Sequence, residues 1–204
     1  MHWLICKERT EIILLLFIWA NAFEERKEII FLSSNEDNWM IRDIMEIRTA
    51  TIADLAQIAA VEAECFPAAE AATKEEFAER IKYYGNHFWL MLEGEKLIAF
   101  VDGFVTDKPD LTDEMYERAE MHDENGAWQM IFGVNTIPAY RKHGYAGQLL
   151  QCAIEDARKQ GRKGLVLTCK EKLIAYYAKF GFENEGISES VHGDVTWYQM
   201  RYEF

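Results

Sequence analysis

Only 3 prolines interrupt the 204 residues, and no Gly/Ser-rich stretch divides them. That excludes an internal hinge between two large domains, and the length suits one domain with a substantial core. Internal repeats are absent as well. Cysteine is scarce: 4 residues, at positions 6, 65, 152 and 169, with no C-x-x-C and no His/Cys spacing suited to zinc. Free thiols in a reducing, cytoplasmic setting, and no metal, are the expectation. Positive charge is short too, with 22 Lys and Arg against 35 Asp and Glu, a formal charge of −13. Such a balance argues against nucleic acid, whose binding requires clustered cations to displace counterions. It suits a cationic small molecule such as an amine.

Long hydrophobic runs are missing. The unbroken apolar stretch from Ile12 to Ala20 falls well below the roughly 20 residues of a membrane-spanning helix, so no membrane partner is expected. Lys7 and Arg9 before it, and Ala20-Asn21-Ala22 after it, have the look of a secretory leader, but Glu8 and Glu11 spoil the positive segment. Residues 1–44 are therefore expected to be an extension outside the core fold. The folded domain is expected at 45–204, with Met40 and Met45 as alternative starts.

What is present is a globular composition, 50% hydrophobic and 13% aromatic. Glu46–Ala50 reads as a short strand. Thr51 and Asp54 form a capping-box variant ahead of a helix in which Ile52, Leu55, Ile58, Ala59 and Glu62 keep the helical period up to Pro67. Thr73-x-x-Glu76 opens a second helix to about Tyr84. Two β-rich runs joined at Gly94-Glu95 predict a hairpin. "AWQMIFGVN" predicts one strand. Residues 144–160 predict a helix with Leu149, Leu150, Ala153, Ile154 and Ala157 on one face, ended by Gly161. "GLVLTC", a short helix over 171–180 ended by Gly181, and strands near 182–186 and 194–203 complete an α/β order with a right-handed β-α-β crossover.

"YRKHGYAG", Tyr140 to Gly147, places Arg141, Lys142 and His143 between a strand and a helix start, against the overall sign of the chain. The first turn of a helix offers unpaired N–H groups and partial positive charge, a natural phosphate site. Gly144, Ala146 and Gly147 keep bulk away from that backbone. The stretch matches neither G-x-x-x-x-G-K-[ST] nor G-x-G-x-x-G.

Arg141-x-x-Gly144-x-Ala146 resembles the pyrophosphate loop, Gln/Arg-x-x-Gly-x-Gly/Ala, of the GCN5-related N-acetyltransferases (GNAT). "LVLTCKEKLIAYYAKFGFENEG" resembles the strand, helix and Y-x-x-F-G-F ending of that family. "ECFPAAEAA" and "VTWYQM" resemble its arylalkylamine (serotonin) N-acetyltransferase-like group. The likeness covers about residues 45–204. It implies a mixed, mostly antiparallel central sheet with helices on both faces, acetyl-CoA as cosubstrate and a primary amine as acceptor. It also implies that pantetheine lies along Phe132, Gly133 and Val134, and that pyrophosphate sits on the amides of the Arg141, Lys142, His143, Gly144, Tyr145, Ala146 and Gly147 loop. Protein or peptide N-terminal acetylation, and acyl-CoA binding without catalysis, are the alternatives.

Acetyl transfer needs an amine freed of its proton, a donor to the tetrahedral oxyanion and a partner for the departing thiolate. An aliphatic amine with a pKa of about 10 arrives protonated. A backbone N–H near Phe132–Val134 is the expected oxyanion donor. Tyr177 matches the family tyrosine and is the expected partner of the thiolate, with Tyr176 as fallback; an apolar stripe of Leu173, Tyr177 and Phe180 is the packing alternative. The animal arylalkylamine enzymes carry two histidines in the strand before the loop. The matching positions are Trp128 and Met130, neither able to accept a proton, with Trp128 open between facing a substrate and packing. Glu70 is the first-choice base, with Glu64, His122 and Asp123 as alternatives. His87 and His192 are expected to have local roles.

Overall fold

The computed structural model describes residues 3–8, 11–17, 27–35, 38–191 and 195–204, those before residue 45 as backbone alone. In chain order they form β1 (Trp3–Glu8), β2 (Glu11–Phe17), β3 (Lys27–Asn35), β4 (Asn38–Thr49), α1 (Leu55–Cys65) and α2 (Lys74–Tyr84). Next come β5 (Phe88–Glu93), β6 (Lys96–Asp102), β7 (Val105–Thr106), α3 (Glu114–Glu117), β8 (Trp128–Ile131) and β9 (Gly133–Thr136). The last are α4 (Tyr145–Lys159), β10 (Gly164–Cys169), α5 (Ile174–Ala178), β11 (Glu183–Ile187) and β12 (Tyr198–Glu203). One sheet has the order β1-β2-β3-β4-β5-β6-β9 and the other β11-β12-β10-β8-β7. Among the described residues every pairing is antiparallel except β8 with β10, the two ends of the expected crossover through α4.

Local chemistry explains the elements. Thr51 and Asp54 complete their capping box, and Arg48 clamps the Asp54 carboxylate at 2.6 and 2.8 Å. Thr73 and Glu76 do the same for α2. Gln57 of α1 binds both sides of the β5–β6 turn, donating to Glu95 O and accepting from Leu97 N–H. Alternation along β5 sends Phe88 against Phe77 of α2 and Trp89 toward α4, where its indole N–H donates to Asp156 at 2.9 Å. Helices thus cover both faces. The buried face of α4 is Leu149, Leu150, Ala153, Ile154 and Ala157, as its period predicts.

Three boundaries differ from the sequence reading. The strand expected at Glu46–Ala50 runs from Asn38 to Thr49. Helix α1 stops at Cys65, because Phe66 precedes Pro67 and takes an extended backbone (φ −120°, ψ 149°). "AWQMIFGVN" is two strands rather than one: β8 stays with β10 up to Ile131, and β9 leaves to pair with β6 from Gly133. The break is matched across the sheet by Gly103, where a Cβ would lie 1.8 Å from Met130 O. Because the two sheets splay at Phe132, a V-shaped gap opens between β9 and β10.

Candidate active site

The gap leads into a cleft of about 420 Å³. Its floor is Ile131 to Val134. One wall comes from α1, α2 and β6 and carries Glu62, Arg80 and Asp102; the other comes from β10 and α5 and carries Thr168, Cys169 and Tyr177. Phe66, Tyr116 and Trp197 supply aromatic surface, and Glu70, Glu76, Asp113 and Glu117 add carboxylates.

Tyr177 is 6% exposed and lines this cleft. Burial drives its phenol pKa well above the usual value, with Cys169 and Tyr176 adding to the effect. Cys169 beside it is pushed up to about 11 by burial, which makes it a poor nucleophile. Tyr176 turns away, packing on Phe180 at 5.3 Å. Glu70 also lines the cleft, and both its carboxylate oxygens accept from Lys170 Nζ at 2.8 Å.

The other candidates fall elsewhere. Glu64 is exposed on α1 outside the cleft. Met130 is fully buried in the core, and Trp128 packs beneath the Arg201 guanidinium at 4.7 Å, so both serve packing. His122 joins His87 and Glu124 in a separate cluster that Arg162 also enters, at 2.8 Å from Glu124. Those three residues bring donor atoms within 4.8 Å of one another. However, Val105 N–H donates to His122 Nδ1, which leaves the ring proton on Nε2, facing Glu124 rather than a metal. The backbone N–H of Asp123 is tied to Val105 O. His192 lies outside the described residues.

Between β9 and α4 the loop is built to present amides. Lys142 and Gly144 both take positive φ, 68° and 83°. Arg141 is turned back onto Thr136 O at 3.0 Å, and His143 Nδ1 donates to Arg141 O at 2.9 Å. The first backbone bond of the helix is Gln148 N–H to Gly144 O at 3.0 Å, and among the described residues no backbone acceptor meets the N–H groups of Lys142, His143, Gly144, Ala146 or Gly147. Such amides at a helix start fit a phosphate. Gly147 has a different reason for its size than expected: a Cβ there would sit 2.8 Å from the Phe180 ring. Of the expected oxyanion donors, Phe132 N–H is taken by Asp102 O at 2.8 Å, and Gly133 N–H helps to hold the Asp102 carboxylate.

Four cleft residues were not singled out from the sequence. Asp102 is 1% exposed and pairs with Arg80 at 3.2 Å; burial raises its carboxyl to about 6 even though Arg80 opposes the shift. Arg80 also donates to Tyr116 O at 3.0 Å and lies 5.4 Å over the Phe132 ring. The Tyr116 hydroxyl meets Thr168 Oγ1 at 3.2 Å, and burial pushes its pKa up to about 12. Glu62, 6% exposed, accepts from Ala72 N–H at 3.1 Å. Burial, followed by the charge of Asp102, raises its carboxyl to about 7. The signal for Glu62 was a carboxylate on the apolar face of α1, four residues after Ile58.

Among solved structures, the fold matches the loading GNATL domain of CurA from Lyngbya majuscula (16% identity, 78% of this chain and 97% of that chain, TM-score 0.68). It also matches Arabidopsis thaliana Naa50 in complex with the bisubstrate analogue CoA-Ac-MVNAL (18% identity, 78% and 99%, TM-score 0.62). A third match is the PaiA N-acetyltransferase of Thermoplasma acidophilum in complex with coenzyme A (18% identity, 78% and 99%, TM-score 0.59). The model of the acetyltransferase (GNAT) family matches residues 55–182, from the start of α1 through the splayed strands and amide loop to the end of the α5 segment. With its splayed sheet and its cradle of free amides, the chain belongs to the GNAT family of acetyltransferases, whose acyl donor is acetyl-CoA.

Proposed function

We propose that this enzyme transfers acetyl from acetyl-CoA to a small primary amine, with an arylalkylamine as the preferred acceptor. One observation carries the reading: the cleft at the splay combines aromatic rings, among them Phe66, Tyr116 and Trp197, with carboxylates that draw in an ammonium group. Its outer side is closed by Asp113, which accepts from Val191 N–H at 2.9 Å and from the Ser190 hydroxyl. That tie favours a small acceptor over an extended peptide.

In this assignment pantetheine enters the V along Phe132, Gly133 and Val134. Its pyrophosphate rests on the amides from Lys142 to Gly147, with Arg141 bracing the loop from Thr136. Residues 45–204 form the catalytic domain, and the thiols of Cys65 and Cys169 suit the cytoplasm. The neutral amine attacks the thioester carbonyl, a C–N bond forms and the C–S bond breaks. Val134 N–H is the remaining donor of its run for the oxyanion. Tyr177 donates a hydrogen bond to the developing thiolate; its raised pKa makes complete proton transfer costly, so the phenol acts chiefly as a donor. Glu70, neutralised in part by Lys170, belongs to the acidic surface that orients the ammonium.

Purified protein incubated with acetyl-CoA and a panel of tyramine, tryptamine, serotonin, aliphatic amines and N-terminal peptides, followed by thiol release, tests the proposal. Turnover highest on aromatic amines supports it. Turnover on peptides alone moves the enzyme to N-terminal acetylation, and acetyl-CoA binding without turnover makes it a binding module.

A further inference from the structure

The proton relay of the animal enzymes has no counterpart at Trp128 and Met130, so another group must take the amine proton. Resting on the amine-acetylation reading above, we propose that Glu62 is the general base, its proton affinity set in part by the charges of the nearby Arg80–Asp102 pair.

Location comes first. Glu62 stands on the α1 side of the cleft and Tyr177 on the β10–α5 side, so the proton acceptor and the thiolate donor flank the gap in which a thioester would lie. Glu62 is held rather than loose: Ala72 N–H fixes Oε1 from the α1–α2 connection. Asp102 is a poor alternative, because Arg80, Gly133 N–H and its own backbone N–H already occupy it. Glu70 is a poor alternative, because Lys170 holds both of its oxygens. The buried side-chain amide of Asn135, on β9, is a further group that favours the ionised form of the Glu62 carboxylate.

The charged and titratable groups facing Glu62 are Arg80 from α2, Asp102 from β6 and Cys65 from its own helix. Burial and Asp102 hold its proton affinity high, while Arg80 and the Ala72 amide keep the ionised form accessible. A carboxyl that titrates near neutrality suits a base that must take a proton and release it again.

The step balances as follows. The ammonium gives one proton to the Glu62 carboxylate, and this proton passes to water. The neutral nitrogen attacks, the C–S bond breaks, and the second N–H proton ends on the coenzyme A sulfur. Each turnover therefore yields amide, thiol and one released proton.

The test is the pH dependence of kcat at saturating amine and acetyl-CoA. In the unaltered enzyme kcat should rise through an ionisation near pH 7. Glu62→Gln, which keeps an acceptor for Ala72 N–H, should lose that rise and lower kcat about 100-fold or more at pH 7, with acetyl-CoA affinity within about two-fold. Glu70→Gln should keep the ionisation. If Glu62→Gln fails to fold, Glu62→Asp takes its place: a carboxylate drawn back by one methylene should shift the ionisation and lower kcat. An unchanged profile in either Glu62 variant, or loss of the ionisation in Glu70→Gln instead, overturns the assignment while leaving amine acetylation standing. An unaltered enzyme that binds acetyl-CoA and acetylates no amine overturns both.

Discussion

At the scale of single residues, the cleft is governed by burial acting on ionisable groups. Tyr177 keeps its proton because its ring lies inside the wall, so removing the hydroxyl should affect the departing thiolate and little else. Tyr177→Phe is expected to lower kcat about 100-fold while leaving the acetyl-CoA dissociation constant nearly unchanged; steady-state rates alongside calorimetry provide the check, and an unchanged kcat would make Tyr177 a packing residue. Glu62 has a consequence for stability as well. Burial raises its carboxyl to about 7 in the fold, from an ordinary value of 4.5. Between those values the folded chain binds more protons than the unfolded one, so this group's stabilising contribution declines as pH rises through the window, by at most about 1.4 kcal/mol per pH unit. Glu62→Gln should therefore melt higher than the unaltered protein at pH 8 and alike at pH 4.5, as calorimetric scans at the two pH values would show. Sequence alone brought Tyr177 forward through its motif, and the fold puts that residue on the cleft wall. The sequence passed over Arg80 and Asp102, because their pairing spans 22 positions and exists only once α2 lies on β6.

At the scale of elements, the amide loop and the splayed strand do different jobs with similar residues. Gly144 stands at φ 83°, and among the described residues no atom lies within 4 Å of a would-be Cβ, so glycine is needed there for its conformation rather than for space. Gly144→Val should therefore raise the acetyl-CoA dissociation constant about 10-fold or more, by turning the amides of α4's first turn out of line, and reduce stability by about 1–2 kcal/mol. Binding calorimetry decides this, and unchanged affinity would remove the phosphate role from the loop. Helix α4 was legible in advance because its apolar face repeats every three to four residues. The split of β8 from β9 was not, because a continuous apolar run reads the same whether its partner changes midway or not. Only the competing hydrogen bonds of Phe132 and Met130 to β6 and the Phe104 segment reveal the break.

At the scale of the whole molecule, 35 acidic against 22 basic side chains set a negative field around a cleft whose own lining is acidic. Encounter with a cationic amine should be favoured at low ionic strength. We expect kcat/KM for such an amine to fall several-fold as salt rises from about 0.05 to 0.5 M, where screening shortens to a few ångströms; a value independent of salt would show that the field plays no part in capture. What the sequence by itself determined were the local features: the two capping boxes, the period of α4, the hairpin at Gly94-Glu95, and the loop and tyrosine motifs that mark the family. Each depends on side chains a few residues apart, whose chemistry is fixed before the chain folds. What only the tertiary structure decided was which acidic groups meet the cleft and in what state. It took Glu64 out, tied Glu70 to Lys170, and brought Glu62 from α1 into the influence of Asp102 from β6. Burial and charge act through space, so a carboxylate's proton affinity is set by distant segments that become neighbours only when the sheets and helices close around it.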